Sequence, residues 1–258
     1  MSDSLLDLER WEFGVLDIHH PETCTLKEYF KLIPKLERIP GAIVELGVAR
    51  GRSLITTGLI LENLKSSKSV IGLDSFEGFP QYSPEDDFDN FNNLRNANLI
   101  SEEHYLRVLK NSAHVKARGA DVHPSQISSS QDFSNTSIDY VQSRINYLGL
   151  QDRVKIEVGD FTLNIEKLIE GQTLSLVLLD SDLYGSYAMT LPTLWKQLSP
   201  GGYIYLDEYY SLKFPGPRIA VNNFMNTISD GTLVGLDPWM DFERWAIVKK
   251  VQLKLKSE

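Results

Sequence analysis

Short apolar runs recur along the chain, each closed by glycine or polar positions. They are "GAIVELG" (41–47), "SVIGLDS" (69–75), "VKIEVGD" (154–160), "LSLVLLD" (174–180) and "GYIYLDE" (202–208). Their lengths are those of strands. Several are nearly continuous in apolar residues, as in a parallel sheet covered on both faces. Between them the period changes to that of helices. "SLITTGLILENL" (53–64) predicts the first crossover helix, and "SIDYVQSRINYLGL" (137–150) sets Ile138, Val141, Ile145 and Leu148 on one helical stripe. "GSYAMTLPTLWKQL" (185–198) predicts another helix, which Pro192 is expected to kink or to mark at its first turn. "SPGG" (199–202) reads as a turn feeding the next strand, and "ERWAIVKK" (243–250) as the last strand. Trp239, Phe242 and Trp245 are expected to pack a final hairpin. Strand and helix in alternation predict an open α/β sheet.

Two stretches depart from this alternation. Residues 79–134 are polar and include "SPEDDFDNFNN" and "HPSQISSSQDFS". A connection of that length suits a lid or binding loop. Because "SEEHYLRVLKNSA" within it reads as a short helix, the whole is expected to be a mobile lid with helical parts. Residues 1–38 read as a helical region that packs against the core or a partner. Residues 39–258 then form the α/β domain, with 79–134 inserted in it.

Charge and composition narrow the function. The formal net charge is -9, and an acidic chain repels phosphate backbones, so no nucleic-acid partner is expected. Cys24 is the only cysteine, which excludes an intrachain disulfide and a cysteine metal cluster. No run approaches the roughly 20 apolar residues of a membrane span. The opening "MSDSLLDLERWEF" is too acidic for a secretory leader. A cytoplasmic protein without a membrane partner is the simplest expectation.

The first strand leads into "VELGVARGRS", with Glu45 before Gly47, then Gly51 and a helix beginning near Ser53. The next strand ends on Asp74, 27 residues after Gly47, followed by Ser75. An acid at that place takes the hydroxyls of a ribose in dinucleotide folds, whose ligands lie over the carboxyl ends of the strands. The spacing here is E-x-G-x-x-x-G and not G-x-G-x-x-G. Glu45 would repel a diphosphate but attract a cationic amino-acid group, which favours S-adenosylmethionine (SAM) over NAD. In "EVGDF", Asp160 is placed to bond an adenine amino group and Phe161 to stack on the ring. An ordinary helix N-cap at Asp160 is compatible with that role.

Two successive apolar strands end on acid pairs, Asp180 with Asp182 and Asp207 with Glu208. In a parallel sheet these tips share one edge, so the four can converge. Four carboxylates repel one another unless protons or a cation intervene, and a hard divalent ion, Mg²⁺ above all, suits an all-oxygen set. Such an ion acidifies a coordinated hydroxyl, and a carboxylate beside it accepts the proton. Attack on the methyl of a sulfonium would follow. The plain alternative is that these acids cap helices or sit in solvated turns. His104, His114 and His123 fall in the insertion and are expected to be exposed. His19 and His20 are adjacent and diverge, a poor metal pair. The absence of G-x-S-x-G argues against an α/β-hydrolase.

"VELGVARGRS", "VIGLDSFEGFP", "LLDSDLYGS" and "SPGGYIYLDEYYSLKFPGPRIAVNNF" together resemble the macrocin-O-methyltransferase (TylF-type) family of SAM- and Mg²⁺-dependent sugar O-methyltransferases. The resemblance implies a Rossmann-like class I methyltransferase with a seven-stranded, mostly parallel sheet, helices on both faces and a helical lid. It assigns Glu45, Gly47, Gly51 and Ser53 to the SAM loop, Asp74 to the ribose, and Asp180, Asp207 and Glu208 to the metal. Asp182 matches the second acid of its D-x-D-x-Y motif, the position expected of the base, although the residues alone do not choose between Asp180 and Asp182. Glu208 departs from the aspartate common at that position. The acceptor implied is a sugar hydroxyl on a glycosylated natural product or a surface glycan. By analogy, self-association through the N-terminal helices is implied too. Lys213 or Arg218 in "KFPGPR" is a candidate for acceptor contact, beside the alternative of a rigid proline turn. The rival readings are a methyltransferase for a phenolic or amine acceptor, a non-catalytic nucleotide-binding module and an NAD-dependent sugar enzyme.

Overall fold

A computed structural model describes residues 25–239 and 241–251. His19, His20, Cys24 and most of the expected N-terminal helical region lie outside the described residues, as does the side chain of Trp239. The strands are β1 (Ala42–Leu46), β2 (Val70–Asp74), β3 (Val154–Val158), β4 (Leu174–Leu179), β5 (Leu198–Leu206), β6 (Gly231–Trp239) and β7 (Phe242–Lys249). They form one sheet in the order β3-β2-β1-β4-β5-β7-β6. The first five are parallel; β7 runs antiparallel to both β5 and β6. The order reverses between β1 and β4, which opens a crevice above the carboxyl ends of the central strands.

Alternation along the strands sends residues to two cores. Ile43, Leu176 and Leu178 join the side chains of α1 (Lys27–Lys35), α2 (Arg52–Asn63) and α6 (Ile138–Tyr147) on one face. Val44, Leu46, Val177 and Leu179 meet α7 (Phe161–Leu168), α8 (Tyr184–Gln197) and α9 (Gly216–Met225) on the other. The central strands are therefore apolar on both faces, and each fully buried Leu or Ile contributes about 1.5–3 kcal/mol. Glu45 takes the same face as Ile43, which puts a carboxylate under the start of α2.

Two expectations change in detail, and a third, the acids just past β5, holds. Pro192 lies well inside α8, which starts at Tyr184, so it does not mark the first turn. The "SPGG" stretch is counted within β5, where the register against β4 jumps from Leu174↔Leu198 to Leu176↔Tyr203. Asp207 and Glu208 fall in a short 3-10 turn, Asp207–Tyr209, just past β5.

The insertion holds a 3-10 turn (Pro84–Asp86), α3 (Asn90–Asn96), the 16-residue α4 (Glu102–Ala117) and the single turn α5 (Pro124–Ile127). Phe91, Leu94, Ile100 and Val108 pack against Leu212 and Ile219. Val115 and Ile127 pack with Leu183 and Phe214. The two ends of the insertion are tied where the Phe79 N–H donates to the Asp132 carbonyl at 2.9 Å. No helix among the described residues is long and apolar enough to cross a membrane.

Candidate active site

Two glycines bring the strand tips together. Gly47 ends β1 at φ +90°, and a Cβ there would lie 1.8 Å from the Asp180 carbonyl oxygen. Only glycine lets the first turn close on the tip of β4 in this way. Gly51, at φ +73°, caps α2, and a Cβ there would press on Val141.

A cavity of about 600 Å³ opens over these tips, a size suited to a small organic ligand. Gly47, Asp74, Ser75, Asp160 and Phe161 line one end; Asp180, Asp182, Glu208 and Lys213 line the other. A second hollow of about 470 Å³ shares Gly47, Ala49, Phe133 and Asp180 with it and reaches Ser53.

At the first end the acids are held by their own backbone. Asp74 Oδ2 accepts from the Val48 and Ala49 N–H groups, both at 2.8 Å, and Oδ1 accepts from Phe76 N at 2.7 Å. Asp160 caps α7, accepting from Thr162 N at 2.8 Å and from its hydroxyl at 2.5 Å. Glu45 does not line the cavity. It is fully buried behind the glycine turn, with Oε1 accepting from the Ser53 hydroxyl at 2.6 Å and Oε2 without a partner. Burial pushes its pKa up to about 8, against the Ser53 bond and with the aid of the Asp74 charge.

At the other end the acids are held against one another. One carboxylate oxygen from each of Asp180, Asp207 and Glu208 lies within 4.8 Å of the others. Asp182 stands outside this trio but lies near enough to Glu208 to share a proton. Burial, and then the charges of the neighbouring acids, raise Asp180 and Asp182 well above the usual carboxylate range. Burial raises Asp207 too, opposed by Arg244 and Lys213, and it raises Glu208, where the Asp207 charge adds to it. Asp207 Oδ1 is buried without a hydrogen bond; the Arg244 guanidinium is 4.0 Å away. An all-carboxylate donor set with an orphaned buried oxygen fits a hard divalent cation.

Asp182 occupies a strained position, with φ at +61°. The Leu183 N–H donates to the Ser181 carbonyl at 2.7 Å, so Asp182 is the middle of a three-residue turn of the uncommon positive-φ kind. Such strain persists only where the surroundings hold it. Asp86, from the insertion and buried, provides one hold: its Oδ1 accepts from Tyr184 N at 2.7 Å, capping α8 from outside the helix. Its other oxygen accepts from Ser83 N at 3.0 Å.

The remaining candidates separate. Lys213 lines the cavity beside the acids. Arg218 lies over the Tyr209 ring at 4.3 Å and donates to the Tyr209 carbonyl at 3.2 Å, on a different groove. Pro215 and Pro217 start α9 as the plain proline-turn reading expects. His114 and His123 are exposed, but His104 is not. It is buried on α4, stacked 4.0 Å from Tyr210, with Nε2 bonded to the Ser211 carbonyl at 2.8 Å. The apolar stripe of α4, which includes Val108 and Val115, would have exposed this: His104 lies four residues before Val108. Two participants went unnoticed in the sequence: Asp86 and Arg244. Arg244 carries no local signal, since only the pairing of β7 with β5 brings it beside Asp207.

This strand order, with a ligand cavity over the β1–β4 switch point, is the architecture of a class I methyltransferase. The solved O-methyltransferase NovP aligns with a TM-score of 0.59 over 87% of this chain and 80% of its own, at 21% identity. The calicheamicin methyltransferase CalS11 also reaches 0.59, over 84% and 76% at 18% identity. The SAH-bound methyltransferase PaMTH1 of Podospora anserina reaches 0.53, over 97% and 89% at 15% identity. The model of the macrocin-O-methyltransferase (TylF) family matches residues 26–116 and 113–229, and the chain belongs to that family.

Among curated relatives, the chain is 26% identical over 173 residues to 8-demethyl-8-(2,3-dimethoxy-alpha-L-rhamnosyl)-tetracenomycin-C 4'-O-methyltransferase of Streptomyces olivaceus. It is 25% identical over 188 residues to mycinamicin III 3''-O-methyltransferase of Micromonospora griseorubida. These alignments take in 66% and 72% of this chain, but only 54% and 61% of the relatives' lengths.

Proposed function

We propose that this chain is a SAM-dependent O-methyltransferase that methylates a sugar hydroxyl of a small natural product or glycan with the help of Mg²⁺. The observation that carries the reading is convergence. Acids from two neighbouring strand tips converge: Asp180, Asp182 and Glu208 line the same cavity as Gly47, Asp74 and Asp160, and Asp207 lies beside Asp180 and Glu208. Family membership and the sugar named in the Streptomyces olivaceus relative support the acceptor class.

Asp74 would bind the ribose, for which its carboxylate keeps about one lone pair, on Oδ1, beyond the three backbone bonds. Phe161 offers a ring face to the adenine, and Gly47 leaves room for the amino-acid end. Glu45 would act on that end from behind the turn, through Ser53. SAM supplies an electrophilic methyl group on a sulfonium. Asp180, Asp207 and Glu208 would hold the Mg²⁺, which supplies Lewis acidity toward the acceptor hydroxyl. Asp182, outside that trio yet on the cavity wall, would take the proton from the acceptor hydroxyl at its own carboxylate oxygen. Lys213 offsets part of the negative charge of the group. Most of the rate comes from alignment and fixed charge, because no covalent enzyme intermediate is needed.

Calorimetry tests the reading directly. The protein should bind SAM and S-adenosylhomocysteine but not NAD. It should also bind one Mn²⁺ or Mg²⁺, and Asp207→Asn should abolish that while leaving S-adenosylhomocysteine in place. Release of S-adenosylhomocysteine with a rhamnosylated acceptor should stop on adding EDTA. Binding of NAD in place of SAM, or methyl transfer indifferent to EDTA, would overturn it.

A further inference from the structure

The β4–β5 ladder ends at Leu179↔Leu206, one residue before the metal-site acids begin on each strand. Past that rung the two chains part, β4 into the Asp182 turn and β5 into the 3-10 turn. A single phenol spans the gap. Tyr187, on the first turn of α8, is completely buried. Its hydroxyl donates to the Leu179 carbonyl at 2.7 Å and accepts from the Glu208 N–H at 3.2 Å.

We propose that Tyr187 is a positioning residue that holds the two acid pairs at metal-binding separation. Each of its bonds falls beside a cluster acid: Leu179 precedes Asp180, and the Glu208 amide belongs to a cluster acid itself. The hydroxyl thus adds one further rung to the sheet where backbone pairing has stopped. Crowded acids push the tips apart as they ionise, and the phenol ties the backbone of one tip to that of the other. Outer hydrogen bonds of this kind usually change metal affinity by about 10–100-fold. The adenosyl end of the cavity, built on β1, β2 and β3, does not depend on this rung.

The inference rests on the metal reading above, and one experiment separates the two. Tyr187→Phe keeps the ring and removes the tie. Mn²⁺ binding by calorimetry should weaken about 10-fold or more, with S-adenosylhomocysteine affinity within about twofold of wild type. A wild type that binds no Mn²⁺ removes the metal reading and this one with it. A wild type that binds Mn²⁺, beside a folded variant that binds it equally well, removes only the role of Tyr187. A merely structural role would lower the melting temperature and leave Mn²⁺ affinity alone. Should the variant fail to fold, wild-type hydrogen exchange decides. If the bridge and the metal are coupled, Mg²⁺ must slow exchange of the Glu208 amide, and unchanged exchange would overturn the proposal.

Discussion

The two ends of the cavity use the same side chain in opposite ways. Asp74 and Asp160 receive hydrogen bonds from nearby backbone N–H groups and a threonine, so their negative charge is met locally. Asp180, Asp182, Asp207 and Glu208 crowd together; burial drives the protonation of all four upward, and the charges of neighbouring acids add to it at Asp180, Asp182 and Glu208. Both groups sit at the carboxyl edge of one sheet, yet one is stabilised by the fold and the other is tolerated by it. Carboxylates bonded to backbone set the shape of a binding site. Carboxylates left to repel one another store a demand for positive charge, which is what a metal-assisted reaction needs.

The same substitution made at each end should separate them most sharply. Asp182→Asn should lower kcat by about 10²–10⁴-fold, the usual contribution of a general base. In EDTA at pH 8 it should also raise the melting temperature, because it removes one repelling charge. Asp74→Asn should do the reverse to stability, since an amide oxygen cannot serve three N–H donors. One unmet donor costs about 1–3 kcal/mol, and each kcal/mol is worth about 2–4 °C in a chain of this size. Equal shifts in the two variants would erase the distinction.

Glu45 tests the comparison from between the two ends. Its folded pKa is raised to about 8, so the folded chain holds a proton there that the unfolded chain releases above about pH 4.3. The native state then binds more protons, and stability falls as pH rises from the unfolded value toward 8. Glu45→Gln removes that dependence. In ligand-free protein its melting temperature should gain on wild type between pH 5 and 8.5, by several degrees at the upper end. A constant difference across that range would show that Glu45 is charged throughout. The smallest effect is expected at Asp86. Asp86→Ala removes the cap on Tyr184 and the bond to Ser83, at about 1–3 kcal/mol. It should lower kcat through the Asp182 turn while sparing S-adenosylhomocysteine binding, as activity beside calorimetry would show.

Local patterns in the chain carried much of this. Strand-length apolar runs located β1, β2, β4 and β5, and the acids that close the last three placed Asp74, Asp180, Asp182, Asp207 and Glu208 at one edge. The glycine spacing found the turn, though the neighbour that demands glycine at position 47 is the Asp180 carbonyl, known only once β1 and β4 are side by side. Contacts between distant segments were not legible. Nothing near Arg244 announces Asp207, nothing in "SPEDD" announces Tyr184, and the hydroxyl of Tyr187 looks like that of any core tyrosine. Glu45 shows a different limit: its place on β1 was legible, but only the folded strand shows its carboxylate turned behind the glycine turn, buried and off the cavity wall.

The antiparallel entry of β7 next to β5 sets a timetable for the nascent chain. Every acid of the cluster has been made by Glu208, but Arg244 is made 36 residues later, and β7 alone pairs the outer edge of β5. At about 5–20 residues per second, emerging chains spend several seconds with that edge bare and Asp207 lacking its neighbouring guanidinium. A chain halted after Glu208 has emerged from the ribosome and before Arg244 does would display four crowded carboxylates beside an open strand, a species prone to edge-to-edge association.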